Sequence, residues 1–391
     1  MGPQAPDRWI AVGRSDAQDA HRAGSIAAEQ AVRGGDDPKL LIVFAADTYD
    51  GHQLLAGIRA AAGDVPLIGC TTAGEIASGG PGDAGVVITA LGGIGFSVAP
   101  AVGRTASRRL REAGEVAASG LSEVEHRPHR IVLLLADGLA GDQGEIVRGA
   151  YGVAGAAVPL VGGCAGDGGR MVATHQFHGG EVLNDAVVGV AIGSDAPFGI
   201  GVRHGWRRVG EAMMVSAAEG NRVRLLDDRP ALDAYLERLD APAEAWTDAA
   251  AFTAFAQTHP LGLARRSGEE HVRFVAEADF DRRELVCIAE VPPGGLTWLM
   301  EGDASSVLEA TDAACLEALD ALAGHRPLGL LTFDCIARRG VLGMGVADEI
   351  ERVAAHAGEA PVAGFYTYGE IARTRGVSGF HNQTLVVLAV A

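Results

Sequence analysis

The sequence predicts an α/β fold built from internally repeated strand–helix units, with layered mixed sheets and helices outside. Two observations carry this prediction. Short runs that are apolar along their whole length, as in strands covered on both faces, alternate with segments of helical periodicity. A proline–glycine motif also recurs along the chain at nearly constant spacing, which indicates repeated units. Periodicity leaves the strand order open.

The repeated motif is P-x-x-G-x4-G-E-I, which occurs at 66–76 and again at 361–371. A shorter copy spans 159–167, where one residue fewer separates the glycine from an acidic residue, Asp167. An apolar strand precedes each copy, at 40–47, 130–137 and 329–336. A helix lies between strand and motif, at 51–62, 143–157 and 346–356. A closing strand follows each motif, at 84–91, 185–192 and 383–390.

The pattern also extends backwards, because a further strand and helix precede each apolar run. These strands are predicted at 9–15, 96–103 and 296–303, and the helices at 16–33, 105–124 and 304–323. Composition becomes more charged between the second and third copies. We therefore predict an amino-terminal domain at 1–204, a joint at 205–265 with a helical region at 229–257, and a carboxy-terminal domain at 266–391. The last adds strands at 271–276 and 284–290.

Composition restricts the class of protein. Hydrophobic residues make up 48% of the 391 residues and the mean hydropathy is +0.16, so the chain can bury a core throughout. The formal charge of -18 opposes nucleic acid and anionic membrane surfaces as partners. Apolar runs are far shorter than the ~20 residues of a membrane-spanning helix. A cytoplasmic protein with no membrane insertion and with reduced thiols is expected.

The glycine turns are the candidate ligand site, since such turns expose backbone amides. Glu75 and Glu370 stand at equivalent places, where a carboxylate accepts either from a ligand amine or from nearby backbone N–H groups. Arg338 would pair with a ligand carboxylate. The full set of predicted ligand-binding residues is Gly69, Cys70, Thr71, Thr72, Gly74, Glu75, Gly163, Cys164, Cys335, Arg338, Tyr366, Thr367, Tyr368, Gly369, Glu370, His381, Asn382 and Thr384.

Enzyme, metal and phosphate-loop signatures are missing from the sequence, so no catalytic or metal-binding residue and no cofactor is predicted. Two alternatives stay open. Cys70, Cys164 or Cys335 is either a nucleophile, given a lowered pKa, or a small buried hydrophobe. His204 and His259 are single candidates for an axial haem ligand.

Several motifs resemble the FIST (F-box and intracellular signal transduction) family. The segment 66–76 resembles the hallmark of the FIST amino-terminal domain. Motifs similar to those of the FIST carboxy-terminal domain occur, in order, at 259–262, 333–338, 364–370 and 381–384. The resemblance covers nearly the whole chain. His259 departs from it, because relatives tend to carry an aromatic residue such as tyrosine there.

The resemblance implies a sensory module of bacterial signal transduction that binds small ligands such as amino acids. It also implies partners of three kinds: a histidine kinase, a cyclic-di-GMP enzyme or a chemotaxis receptor. One branch of the family binds haem to sense nitric oxide. We therefore expect a cytosolic sensor whose turns line a common cleft between its halves and which signals through a separate partner. A haem-based nitric-oxide sensor and a cysteine-dependent enzyme are the alternatives.

Overall fold

The computed structural model of the protein describes residues 7–264, 271–374 and 379–391. Within them, three six-stranded mixed sheets and one eight-stranded antiparallel sheet are surrounded by helices. The predicted α/β class with mixed sheets and outer helices is therefore confirmed. The proposed domain division at 204 and 265 stays a prediction.

The first repeat follows the predicted order of strands and helices. Its elements are β1 (Trp9–Ser15), α1 (Ala20–Val32), β2 (Pro38–Ala46), α2 (Gly51–Ala62), β3 (Leu67–Thr72), β4 (Glu75–Ala77), β5 (Gly80–Gly82) and β6 (Val86–Gly92). Asp19 and Asp50 cap the amino termini of the two helices by accepting from backbone N–H groups of the first turn. The short hairpin of β4 and β5 was not predicted, because three-residue strands carry no periodicity.

The second repeat has the same order, but its first helix is interrupted. Its elements are β7 (Phe96–Arg104), α3 (Leu110–Ala117), β8 (His129–Ala136), α4 (Gln143–Ala154), β9 (Leu160–Cys164), β10 (Gln176–His178), β11 (Glu181–Leu183) and β12 (Ala186–Ser194). The single helix predicted at 105–124 is wrong. Two 3-10 segments, Ala106–Arg108 and Ser119–Val124, flank α3, since Ser119 and Gly120 have low helix propensity.

The third repeat opens with β13 (Phe198–Arg203) and is then interrupted by an inserted domain, residues 207–301. The elements of the inserted domain are β14 (Arg207–Glu219), β15 (Arg222–Leu226), β16 (Arg229–Pro230), α5 (Ala231–Arg238), α6 (Ala249–Ala256), β17 (Leu261–Leu263), β18 (His271–Arg273), β19 (Val275–Asp279), β20 (Glu284–Cys287) and β21 (Leu296–Glu301). All of its strands join the eight-stranded sheet, whose own core includes Tyr235 and Phe252.

After the inserted domain, the third repeat resumes. Its remaining elements are α7 (Ala304–Asp320), β22 (Gly329–Cys335), α8 (Ile336–Leu342), α9 (Val346–Ala357), β23 (Val362–Thr367), β24 (Glu370–Arg373), β25 (Phe380–His381) and β26 (Leu385–Val390). The assignment of 296–303 as its first strand is wrong. β21 pairs with β14 and β17, whereas β13 pairs with β26 as β1 does with β6 and β7 with β12.

The three sheets of the repeats exchange hairpins in a cycle. Each sheet takes four strands from one repeat and two from another, in the orders β1-β6-β2-β3-β10-β11, β7-β12-β8-β9-β24-β25 and β13-β26-β22-β23-β4-β5. The hairpin of the second repeat thus completes the first sheet, that of the third completes the second, and that of the first completes the third. We call these three sheets and their helices the three-sheet core.

The inner faces of the three sheets share one hydrophobic cluster. It contains Phe44 of the first sheet, Leu133 of the second, and Phe333 and Phe365 of the third. The rings of Phe44 and Phe365 lie 4.7 Å apart, and those of Phe333 and Phe365 5.8 Å. The outer face of the first sheet is covered by α1 and α2, so its strands are buried on both faces, as their apolar composition predicts.

The glycine of each P-x-x-G copy is explained by close approach of a neighbouring strand. A Cβ atom on Gly364 would lie 2.0 Å from the backbone oxygen of Thr332, and one on Gly162 would lie 2.0 Å from that of Leu134. Gly69 stands in the same register against Val43. The motif therefore fixes the spacing between the two parallel strands of each repeat.

Gly364→Ala is expected to destabilise the protein by about 1–3 kcal/mol, because the new methyl group must displace strand backbone. Gly152→Ala is the matched control: nothing lies within 4 Å of its added Cβ on α4, so it should stabilise by about 0.5–1 kcal/mol. Urea unfolding measures both. Equal effects of the two substitutions would contradict the explanation.

Candidate functional site

The glycine turns that the sequence singles out lie in direct contact. Ala73 N donates to Tyr366 O over 3.0 Å, and Tyr366 N donates to Gly74 O over 2.8 Å. This exchange joins the turn of the first repeat to the strand that enters the turn of the third. The two turns thus meet through direct backbone hydrogen bonds. The common cleft that the sequence analysis expected between the halves stays a prediction, since the pocket described below over Glu75 is lined by residues of the first repeat alone.

The second repeat joins the same group of turns. Cys164 N donates to Gly369 O over 2.8 Å, and Tyr368 N donates to Cys164 O over 3.1 Å. Gly166 N donates to Thr71 O over 3.0 Å. Packing is close, because a Cβ atom on Gly163 would lie 2.6 Å from Thr367 Cγ2. Each pair of repeats is therefore hydrogen-bonded at the turns.

Glu75 and Glu370 hold their turns in the same way. Thr72 Oγ1 donates to Glu75 Oε1 over 2.6 Å, and Gly85 N donates to Glu75 Oε2 over 3.0 Å. At the third repeat, Thr367 Oγ1 and the backbone N of Thr384 donate to the two oxygens of Glu370 over 2.5 and 3.1 Å. Each glutamate links its turn to the start of the closing strand.

The second repeat places its carboxylate elsewhere. Strand register puts Gln176, not Asp167, at the position of Glu75 and Glu370, since Phe177 faces Gly69 as Ile76 faces Gly364. Asp137, at the end of the apolar run, supplies the carboxylate and accepts from Thr174 Oγ1 over 2.7 Å. The interpretation of Asp167 as the equivalent acid is wrong.

Asp167 instead holds the loop between β9 and β10 in place. Its side chain accepts from the hydroxyl of Tyr368 and from the backbone N–H groups of Met171, Val172 and Ala173. Those hydrogen bonds lower the pKa of Asp167, although burial acts in the opposite direction.

Burial dominates the ionisation of both glutamates. It raises the pKa of Glu75 from 4.5 to about 7 and that of Glu370 to about 8, while the hydrogen bonds that each accepts act in the opposite direction. The thiol of Cys335 also lies beside the Glu370 carboxyl. Near neutral pH, both side chains are poised between their protonated and ionised forms.

Arg338 lies in the interior and is occupied by protein partners. Its guanidinium pairs with Asp334 over 2.8 Å and with Glu349 over 2.5 Å, and it also donates to His204 O and Thr311 Oγ1. Arg338 is fully buried. These contacts make it an ion-pair partner inside the third repeat, at odds with the predicted pairing to a ligand carboxylate.

The remaining predicted ligand-binding residues are Tyr366 and those of the segment 381–384. The buried hydroxyl of Tyr366 has no hydrogen-bond partner among the described residues, nor has Oδ1 of buried Asn382. His381 Nε2 lies 2.9 Å from Ala372 O, and Thr384 Oγ1 donates to Asn382 O over 2.8 Å. Tyr366 lies on β23, whereas His381, Asn382 and Thr384 lie where β25 leads into β26.

The candidate cysteines are all buried. Cys70 and Cys164 have no exposed surface and Cys335 has 6%. Burial raises the pKa of all three thiols well above its ordinary value. A nucleophilic cysteine needs the opposite shift, so the environment favours the alternative of small buried hydrophobes.

The two histidines considered as haem ligands have protein partners. His259 Nδ1 lies 2.7 Å from Phe255 O, and its ring stacks on Phe255 with centroids 4.2 Å apart. His204 Nδ1 accepts from Trp206 N over 3.0 Å. In the described ranges, no three His, Cys, Asp or Glu side chains are grouped to hold a metal ion.

A pocket of about 290 Å³ lies over Glu75. Its walls come from the end of β1, the hairpin of β4 and β5, and the segment that leads into β6. Arg14, on β1, and Asp16, just after it, line the pocket, and so does Asp83, which pairs with Arg339. Arg14 makes no ion pair within the part of the chain that the structure describes. Arg14 and Asp16 were not predicted from the sequence, since isolated charged residues at a strand end form no motif.

The equivalent places in the other repeats are filled by protein groups. Strand register puts Arg104 and His204 at the position of Asp16. Arg104 forms an ion pair with Glu181 of the β10–β11 hairpin. In the third repeat, the Trp206 indole donates to Gln383 O over 3.0 Å. The pocket over Glu75 thus marks a departure from the threefold repetition.

Fold and turns together define an internally repeated α/β protein whose three repeats exchange hairpins. The chain belongs to the FIST family: a FIST N domain matches residues 39–229 and a FIST C domain matches 231–373. These are signal-transduction sensor domains, and the resemblance found in the sequence motifs is confirmed. None of the helices in the described ranges has the length and apolar character needed to cross a membrane.

Two similar proteins come from distant organisms. An uncharacterized protein of Mycobacterium tuberculosis (strain H37Rv) is 26% identical over 394 residues, which cover 96% of this chain and 97% of the relative. An uncharacterized protein of Methanocaldococcus jannaschii is 28% identical over 154 residues, covering 37% of this chain and 30% of the relative.

The raised pKa of Glu370 predicts a pH dependence of stability. Because the folded state holds this proton more tightly than the unfolded chain, stability is complete at low pH and falls as the pH rises through about 8. Each unit of pKa elevation corresponds to about 1.4 kcal/mol. In urea titrations, Glu370→Gln should lose less stability than wild type between about pH 5 and pH 9. Exposed Glu29→Gln is the control, and a parallel loss in wild type and Glu370→Gln would contradict the burial argument.

Burial of the cysteines predicts slow thiol chemistry. In native protein at neutral pH, an aromatic disulfide reagent should modify the five thiols much more slowly than in urea-unfolded protein, where all five become accessible. Absorbance of the released thiolate follows the reaction. Rapid stoichiometric modification of one native thiol would instead identify an activated cysteine.

Proposed function

We propose that the protein is a cytosolic sensor that binds a small zwitterionic molecule, such as an amino acid, in the pocket over Glu75. It passes the signal to a separate partner. The observation that carries the proposal is the placement of a cation without an ion-pair partner, Arg14, and two carboxyl groups, Glu75 and Asp16, around one pocket of suitable size.

The charges of the pocket match the two ends of a zwitterion. The Arg14 guanidinium offers two parallel N–H donors, which suits a ligand carboxylate. Glu75 and Asp16 offer oxygens to an ammonium group. Neither carboxylate takes part in an ion pair within residues 7–264, 271–374 and 379–391. A ligand with both groups would therefore bring each charge a partner.

Titration of Glu75 makes binding sensitive to pH. With a pKa of about 7, the carboxyl is partly protonated in the ligand-free protein near neutrality. An ammonium group favours the ionised form. Affinity for a zwitterion should therefore rise as the pH increases through 7, until Glu75 is fully ionised.

The location of the pocket supports a sensory role. Glu75 starts β4, which pairs with β23 of the third repeat, and the hairpin also contacts α9. The other wall, at the end of β1, belongs to the first sheet. A ligand that draws Arg14 towards Glu75 would therefore act on the first sheet through β1 and on the third sheet through β4. This gives a route to the surface of α9, where a histidine kinase, a cyclic-di-GMP enzyme or a chemotaxis receptor would read the change.

A thermal-shift screen of the common amino acids, followed by calorimetry, tests the proposal. At least one should raise the melting temperature of wild type, because a ligand of the folded state stabilises it. Arg14→Ala and Glu75→Gln should each weaken binding about tenfold or more, as expected for loss of a charged hydrogen bond. Arg33→Ala removes an exposed arginine away from the pocket and should bind as wild type does.

The pH profile provides the second readout. Wild-type affinity should increase between about pH 6 and pH 8, whereas the Glu75→Gln profile should be flat over that range. If no amino acid binds, or if binding survives both pocket substitutions unchanged, the pocket over Glu75 is not the ligand site.

A further inference from the structure

A second pocket lies at the carboxy-terminal end of α2 in the first repeat. Its volume is about 240 Å³. The last turns of α2 and Gly63 form one wall, the segment that leads into β3 forms the next, and the turn between β10 and β11 closes it at Gly179 and Gly180. We call it the α2 pocket. It shares no lining residue with the pocket over Glu75.

The second repeat shows which group occupies the equivalent space there. Arg373 of β24 reaches the end of α4, where its Nη1 donates to Gly155 O over 2.8 Å and to Val158 O over 3.1 Å. The guanidinium also lies over the ring of Tyr151, 4.2 Å from the centroid. Arg373 is only 1% exposed. The end of this helix therefore binds a planar cation supplied by the protein itself.

Strand register puts Gly179 at the position of Arg373 in the first repeat. Arg373 faces Leu160 where β24 pairs with β9. Where β10 pairs with β3, Gly179 N donates to Leu67 O over 2.8 Å. Leu67 and Leu160 are equivalent, because each directly follows the proline of the repeated motif. Glycine has no side chain to extend from this position, so the α2 pocket lies where the arginine would otherwise reach.

The two carbonyl groups that would accept from the cation recur in the first repeat. Gly63 ends α2 with a φ of 70°, as Gly155 ends α4 with a φ of 64°. Val65 precedes the motif proline, as Val158 does. Neither Gly63 O nor Val65 O accepts a hydrogen bond from a group within the described ranges. Carbonyl groups at the end of a helix carry partial negative charge and attract cations.

The walls of the α2 pocket suit a cation with a hydrocarbon stem. Its ionised side chains, Arg59 and Asp64, pair with each other, so the partial negative charge of the helix end remains. Leu41, Leu55 and Ile58 line the rest, and each is at most 4% exposed. They would pack against methylene groups as apolar surface packs against the stem of an arginine side chain.

We propose that the α2 pocket is a binding site for a small alkylguanidinium compound. Its guanidinium would donate to Gly63 O and Val65 O, as Arg373 donates at the end of α4, and its stem would lie against the apolar wall. The volume is below the roughly 300–1,000 Å³ of pockets for drug-sized ligands, which suits a molecule of the size of an arginine side chain. The proposal does not depend on the function proposed for the pocket over Glu75.

Calorimetry with butylguanidinium at low millimolar concentration tests the proposal. Wild type should bind it. Arg59→Tyr should tighten binding about two- to fivefold, because it removes a like charge and supplies the ring that Tyr151 supplies to Arg373. Asp64→Asn should weaken binding about threefold, as for the loss of an exposed ion pair. Arg238→Tyr is the matched control: it removes the same charge from the last turn of α5, outside the pocket, and should bind as wild type does.

Further probes separate the possible outcomes. Butylurea has a similar shape without charge and should bind about tenfold more weakly, since hydrogen bonds from a charged donor are stronger. Butyrate has the opposite charge and should not bind. Glu75→Gln should leave the affinity for butylguanidinium unchanged, so failure at one site is separable from failure at the other. The proposal is overturned if butylguanidinium does not bind, if Arg59→Tyr and Asp64→Asn leave its affinity unchanged, or if butyrate binds in its place.

Discussion

The cyclic exchange of hairpins is the constraint on which the rest of the structure depends. A strand edge without a partner leaves a row of unsatisfied N–H and C=O groups. Here the edge of β3 is completed by β10, that of β9 by β24, and that of β23 by β4. No repeat can satisfy its own sheet, because its hairpin lies in the sheet of another. The three repeats must therefore fold as one unit, with their turns brought together at the exchange points.

Repetition explains why the same residues recur, and the departure from repetition at Asp16 explains the pocket over Glu75. Glu75 and Glu370 hold their turns by the same two hydrogen bonds, so the recurrence of the acidic residue follows from the exchange itself. At the position of Asp16, however, Arg104 and His204 stand in the other repeats, where an ion pair and Trp206 occupy the space. A pocket remains at this position in the first repeat alone.

The sequence predicted the parts of the fold that are long and periodic. The apolar strands, their helices and the closing strands were found, because each buries two faces or one face over several turns. The exchanged hairpins were not predicted, since strands of two or three residues show no periodic pattern. β21 was assigned to the wrong sheet, because the pattern of a strand does not reveal the strand that it pairs with. The true first strand of the third repeat, β13, was not recognised as such. Its glycines at 199 and 201, which pack against α7, interrupt its apolar pattern.

The candidate site was predicted in part for the same physical reason. Glu75 belongs to a repeated motif and could be found, whereas Arg14 and Asp16 become neighbours of Glu75 only when β1 pairs with β6. For Arg338, the sequence did indicate a partner within the protein. Asp334 precedes it by four residues, the spacing of an ion pair along a helix, and the structure has that pair buried with Glu349.

The third repeat connects the pocket over Glu75 to the inserted domain. Its strand β23 pairs with the hairpin that carries Glu75, and the inserted domain leaves the third repeat after β13 and returns at α7. Trp206, just after β13, is bonded to Gln383, next to the Thr384 backbone that holds Glu370. The chain segment that enters the inserted domain is thus hydrogen-bonded beside a turn that contacts the other turns. Any energetic coupling between the pocket and the inserted domain would have to be reciprocal, and these backbone contacts are the elements that would carry it.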